Sequence, residues 1–220
     1  MGLENIVAPV VEVDGLGFHF KTRSVFLGLD LRLAPGLTWL RGRNGRGKTT
    51  LLKLLGGALS PASGSIRLDG LDSRRDALAY RRHSFYCGGE APALDWLTAG
   101  EWLDLHLSLY PDADLAALQI HLDLFGIATV AAQPVSGLSL GQYKKLQLAL
   151  ALALPVRLLL IDEPFNGLDV QAVEVLQDLL ARRTSASEEA GASCIVLTSH
   201  LPLRLEPTLT LDLDGRSGVL

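Results

Sequence analysis

Apolar and polar positions change their period several times along this chain. Near the start, "VVEVDG", "GFHF", "LDLRL" and "LTWLR" are short apolar or alternating runs broken by Gly, Asp and Pro, and they predict strands. "TTLLKLLGGAL" then shifts to helical spacing and is stopped by Gly56 and Gly57. "GSIRLDG" alternates again, and "SFYC" predicts another short strand. From about Leu97 to Val135 the pattern changes: "TAGEWLDLHLSLY" and "DLAALQIHLDLFGI" predict amphipathic helices with no strand between them. Afterwards "GQYKKLQLALALAL" predicts a helix halted at Pro155, "RLLLI" a buried strand, "VQAVEVLQDLLARR" a helix, "SCIVLTSH" a strand and "LTLDLDG" a last one.

Alternating strands and helices favour an α/β core with a largely parallel sheet, and ligands at the carboxyl ends of its strands. We read residues 1–220 as one domain. Residues 1–88 and 136–220 form its core, and about 89–135 form a helical lobe inserted between them. The formal charge of −4 argues against a dedicated nucleic-acid binder, so no nucleic-acid partner is expected. Cys87 and Cys194 lie far apart with no C-x-x-C spacing, which fits a reduced compartment and ordinary packing. The most apolar stretch, Leu146 to Ile161, is interrupted by Pro155 and Arg157 and falls short of the ~20 residues of a bilayer crossing. "MGLENIVAPVVEVDG" lacks a basic segment ahead of an apolar block, so no secretory signal is expected. Attachment to a membrane would then come through a partner.

Chemistry enters at residues 42–49. Gly42, Arg43, Asn44, Gly45, Arg46, Gly47, Lys48 and Thr49, followed by Thr50, satisfy G-x-x-x-x-G-K-[ST] between a predicted strand and a predicted helix. Such a loop aims backbone N–H groups and the positive end of a helix at phosphates. Lys48 would reach the β- and γ-phosphates, and Thr49 would hold Mg²⁺. Arg43 and Arg46 occupy the variable positions, and Arg43 reads as a surface residue. The strand "RLLLI" delivers Asp162 and Glu163 to its carboxyl end. Asp162 there can hold Mg²⁺, and Glu163 can polarise an attacking water.

"LSLGQYKK", from Leu138 to Lys145, precedes "LLLIDEPFNGLD", and together they resemble the signature motif and the neighbouring downstream segments of ATP-binding cassette (ABC) ATPases. Leu140 replaces the first glycine of the family's L-S-G-G-Q, while Ser139, Gly141 and Gln142 are kept. "NGLD", ending at Asp169, resembles the family's D-loop, and "LTSH", ending at His200, resembles its switch-histidine loop. The resemblance implies a P-loop NTPase core with an N-terminal antiparallel β-subdomain and an inserted α-helical lobe. It implies ATP and Mg²⁺ as cofactors and hydrolysis carried by Lys48, Glu163 and His200. A second copy, or a related cassette, would pair head to tail, so that Ser139, Gly141 and Gln142 of one chain face the ATP of the other. In such a pair Arg46 would either contact phosphate or hinder closure. Phe20 aligns with the aromatic that stacks on adenine, with Phe18 as the alternative.

The family's glutamine between "SFYC" and the lobe is missing, and Glu90 takes that position, with Gly89 as the other register. A separate transmembrane permease is implied, docked at Glu90 and the lobe around Trp96, Trp102 and Tyr110. That arrangement puts the protein at the cytoplasmic face of the cell membrane. The compact format resembles the ATPase chains of bacterial exporters, including those related to heme export in cytochrome maturation. The second reading is a soluble relative acting on a scaffold, as in iron–sulfur cluster assembly.

Overall fold

The computed structural model describes residues 8–21, 23–88, 94–185 and 193–215. β1 (Val11–Phe20) and β2 (Arg23–Leu33) form a long antiparallel pair. The two separate runs "VVEVDG" and "GFHF" are thus one strand. Gly15, at φ 57°, sits where the register slips between Val13 and Leu16, and the bulge hides the strand's continuity from a period-two pattern. β4 (Ser63–Leu68) and β5 (Leu71–Asp72) complete a four-stranded antiparallel sheet in the order β2-β1-β4-β5.

The second sheet has five parallel strands in the order β6-β7-β8-β3-β9. They are β3 (Gly36–Arg41), β6 (Ser84–Cys87), β7 (Leu158–Ile161), β8 (Cys194–Thr198) and β9 (Leu209–Asp212). Interior strand β7 is buried throughout, and its side chains divide between the faces. Leu158 and Leu160 join a core shared with α1 (Lys48–Leu55) and the antiparallel sheet. Leu159 and Ile161 join a second core shared with the helices on the other side.

Between β6 and α5 (Leu140–Ala153) the described residues form no strand, only α3 (Ala99–Leu109), α4 (Leu115–Leu124) and two short 3₁₀ turns. A short helix not anticipated from the sequence, α2 (Ala77–Arg82), is pinned by buried Tyr80, whose hydroxyl donates to Leu55 O at 2.5 Å. Each lobe helix starts on a polar cap. Thr98 and Glu101 form a capping box at α3, and Asp114 accepts from Ala117 N–H at α4. The aromatics named for a docking surface separate. Trp102 is buried, and Tyr110 is turned inward with its hydroxyl donating to Ser84 O at 2.9 Å. Trp96 alone of the three is exposed, because it lies ahead of α3 while Trp102 falls on that helix's core face. No helix among the described residues is long and apolar enough to cross a membrane.

α5 ends inside the protein, where its last carbonyls have no helical partners. Arg183, from α6 (Val170–Ser185), supplies donors: its guanidinium bonds the carbonyls of Ala151, Leu152, Leu154 and Val156 at 3.0 to 3.3 Å. Burial pushes that guanidinium down to about 10, so it stays charged at neutral pH. Arg183→Ala strands these carbonyls and should cost roughly 3 kcal/mol of stability in chemical denaturation.

Two lobe histidines are also enclosed. His106 Nδ1 donates to Trp102 O at 2.8 Å and His121 Nδ1 to Ala149 O at 3.2 Å, and desolvation lowers the pKa of both. The unfolded chain therefore takes up protons first. Stability should hold above about pH 7 and decline below the ordinary histidine value. Thermal melts across that range should fall less steeply in His121→Gln, which keeps a donor for Ala149 O without a titrating ring.

Candidate active site

β3 leads directly into the glycine loop, and the loop into α1. Gly42, Gly45 and Gly47 have φ of 141°, 79° and 88°, the region that favours glycine. At Gly47 a Cβ would also come within 2.7 Å of Val25 Cγ1. Gly47 is the N-cap of α1; no side chain caps the helix and its first turn carries no acid. The helix end thus offers its N–H groups and partial positive charge to the space in front of it. Lys48 is buried, and its ammonium donates to Gly42 O at 2.7 Å and Arg43 O at 3.4 Å.

That space is a cavity of about 530 Å³. Its lining joins Asn44, Gly45, Gly47, Lys48, Thr49 and Thr50 of the loop and helix start with Phe20 and Arg23 and with Asp162, Glu163, Asn166 and His200. Phe20 is half exposed, with the ring of Phe18 edge-on to it at 4.9 Å. Of the two, Phe20 reaches the cavity.

The acidic pair sits where buried β7 ends. Asp162 Oδ1 accepts from the Thr198 hydroxyl at 2.7 Å, and Oδ2 from the Tyr86 hydroxyl at 3.2 Å. Thr198 Oγ1 in turn accepts the Glu163 N–H at 2.8 Å. Glu163 has φ 47°, a conformation uncommon for a residue with a side chain. His200 Nε2 lies 3.2 Å from Glu163 Oε1. The ring is not aligned to donate, so Oε1 is buried without a hydrogen bond among the described residues. A buried carboxylate oxygen left in this state is suited to accept from a ligand.

The signature residues stand apart from this cavity. Ser139 caps α5: its Oγ accepts Gln142 N–H at 3.2 Å, and Gln142 Oε1 accepts Ser139 N–H at 2.9 Å. A Cβ on Gly141 would press to 2.8 Å from Gly167 O, which explains the glycine there. The Leu140 side chain is largely exposed at the head of the helix. Asp169 pairs with Lys145 at 2.6 Å; this bond first, and the Ala172 N–H second, hold its carboxyl below the usual range. Glu90 and Gly89 lie outside the described residues.

Four residues of the site carry no motif signal of their own. Lys144, buried next to the signature, donates to Glu163 O at 2.8 Å and Asn166 O at 2.9 Å, and desolvation lowers its pKa. Thr198 and Tyr86 each give Asp162 a hydroxyl donor. Asp214 bonds Arg46 Nε at 2.8 Å, so Arg46 is engaged within its own chain, while the Arg43 side chain is mostly exposed. Thr198 lies inside "LTSH" and Lys144 inside "GQYKK", but the sheet order brings Thr198 beside Asp162, and only the folded packing of α5 shows that Lys144 reaches Glu163 and Asn166.

Residues 27–166 match the family model described as ABC transporter. The cytochrome c biogenesis ATP-binding export protein CcmA of Bordetella bronchiseptica is 39% identical over 78% of this chain and 75% of its own length. CcmA of Pseudomonas fluorescens is 34% identical over 95% of this chain and 97% of its own. A solved ATP-binding subunit of an ABC transporter superposes with a TM-score of 0.79 at 25% identity, over 87% of this chain and 80% of that one. The chain belongs to the ABC transporter family, as an ATP-binding and ATP-hydrolysing subunit.

Proposed function

We propose that this chain drives a bacterial exporter of the cytochrome c biogenesis type. Two copies, or one copy and a related cassette, would close on ATP at the cytoplasmic face of a separate membrane-spanning partner. The observation that carries the reading is the convergence of Lys48, Asp162, Glu163 and His200 on one cavity beneath an uncapped helix end. Similarity to CcmA proteins along nearly the whole chain supports export over scaffold assembly.

In this reading Phe20 takes the adenine, and the loop N–H groups with Lys48 take the phosphates. Lys48 now donates to two loop carbonyls, bonds that phosphate oxygens could replace. Glu163 orients and deprotonates the attacking water, and the unbonded Oε1 is the acceptor for that task. His200 stabilises charge developing on the transferred phosphoryl group. Ser139, Gly141 and Gln142, at the free head of α5, serve the nucleotide of the opposing chain, with Asp169 near that junction.

Thr49 and Asp162 would hold Mg²⁺. No cluster of three acidic, His or Cys side chains that could cage a metal occurs among the described residues. Mg²⁺ commonly keeps several waters and takes ligands from nucleotide phosphates, so two protein oxygens suffice for it. When bound, it neutralises phosphate charge.

Glu163→Gln should keep ATP binding, lose on the order of 10²-fold or more in turnover, and accumulate an ATP-bound dimer in size-exclusion chromatography. Normal turnover in that variant would remove Glu163 from its role. Thr198→Val deprives Asp162 of a donor and the Glu163 N–H of its acceptor at one stroke. Turnover should fall about tenfold or more while the protein stays folded, read by phosphate release alongside a thermal melt.

A further inference from the structure

The phosphate loop is also held from the side away from the carboxylate pair. β9 lies parallel to β3 with Asp212 beside Arg41, and Leu213 N–H donates to Arg41 O at 3.0 Å. Leu213 sits so close to the loop that a Cβ on Gly42 would meet its Cβ at 3.3 Å. Asp214 then turns its carboxylate onto the loop. Oδ2 accepts the Arg43 backbone N–H at 3.0 Å, and Oδ1 accepts Arg46 Nε at 2.8 Å. The Arg43 guanidinium adds a longer approach of 3.6 Å. The hold is braced from behind, since Asp214 N–H donates to Asp212 Oδ1 at 2.8 Å.

On the cavity side, the loop carbonyls of Gly42 and Arg43 are held by Lys48. Those two bonds are the ones a phosphate would compete for. Once they go, the side-chain hydrogen bonds still gripping the loop backbone, among the described residues, are Asp214 to Arg43 N–H and Arg23 to Gly45 O at 3.1 Å. Asp214 also neutralises Arg46, which would otherwise stand as a loose cation at the loop's edge and draw phosphate out of register.

We propose that Asp214 is a positioning residue for nucleotide binding: its carboxylate clamps the phosphate loop through the Arg43 amide and the Arg46 guanidinium. The clamp keeps the loop's shape while Lys48 changes partners. This rests on the reading of the main cavity as the ATP site.

The test is ATP affinity by titration calorimetry on the full chain with Mg²⁺, paired with steady-state phosphate release. Asp214→Ala should raise Kd and KM about tenfold while kcat at saturation stays within about twofold. Asp214→Asn keeps an acceptor for the Arg43 amide but loses the charge, so its rise should be smaller. Placed on Arg46→Gln, Asp214→Asn should add less than it does alone, because the two share one contact. An unchanged Kd in Asp214→Ala with the parent's melting temperature overturns the proposal. So does full additivity in the cycle, or a loss confined to kcat. A parent chain that binds no ATP overturns the cavity reading and the clamp with it, whereas tight parent binding with an indifferent Asp214 overturns the clamp alone.

Discussion

A carboxylate buried at the end of a parallel sheet must find donors, and the site is built around how Asp162 finds them. β7 delivers Asp162 into a nearly closed position, and the strands on either side each supply a hydroxyl: Tyr86 at the end of β6, and Thr198 at the end of β8. Thr198 acts twice, because its oxygen also receives the Glu163 N–H. One side chain thereby fixes both the Asp162 carboxylate and the backbone turn that carries Glu163 into the cavity. Strand order, rather than proximity in sequence, makes this possible. β8 follows β7 by more than thirty residues, yet it lies alongside in register from Leu158 opposite Cys194 to Ile161 opposite Leu197.

α5 carries that precision to a distant surface. Its tail is fastened in the core by Arg183, and its body is fastened to the acidic segment by Lys144, which bonds the backbone of both Glu163 and Asn166. Its head, with Ser139 and Leu140, faces outward. Fastened at its tail and near its head, α5 ties the position of its head to that of the acidic segment through close packing. Lys145 and Asp169 repeat the link one residue further along. The pair is exposed on the Asp169 side, so its energy is small.

Much of this was legible in the residues alone, and the limits have physical causes. The phosphate loop could be read because its chemistry demands glycines and a lysine at fixed spacing. The strands of the parallel sheet could be read because burial on both faces leaves an unbroken apolar run. β1 was divided in two because a bulge resets the alternation at Gly15. α2 was missed because six residues with one buried tyrosine give no periodic signal. Trp102 and Tyr110 could not be told from surface aromatics, since the core face of α3 is settled by packing against Tyr143 and Ser84, residues from other elements. The partners of Asp162 and Arg46 belong to the same class: each is a long-range contact between side chains that no local pattern records.

Charge offers the sharpest contrast between composition and site. The chain carries a net charge of −4, which on its own suggests a surface unfriendly to a polyphosphate. The fold reverses this locally. Arg23, Arg43 and Arg46 meet around a second recess on the outer side of the loop, and Lys48 and the uncapped end of α1 face the main cavity. Several acids are paired elsewhere, Asp14 with Arg32 and Arg67, Asp69 with Arg157, and Glu174 with Arg204, while Asp214 pairs with Arg46 beside the loop. The pairs of Asp14, Asp69 and Glu174 lie away from the loop and are partly exposed, so solvent and salt screen them at a distance. An approaching anion therefore meets Lys48 and the convergent N–H groups of the loop as well as the Asp162–Glu163 pair, and this local arrangement, rather than the sum over the chain, sets the field at the loop.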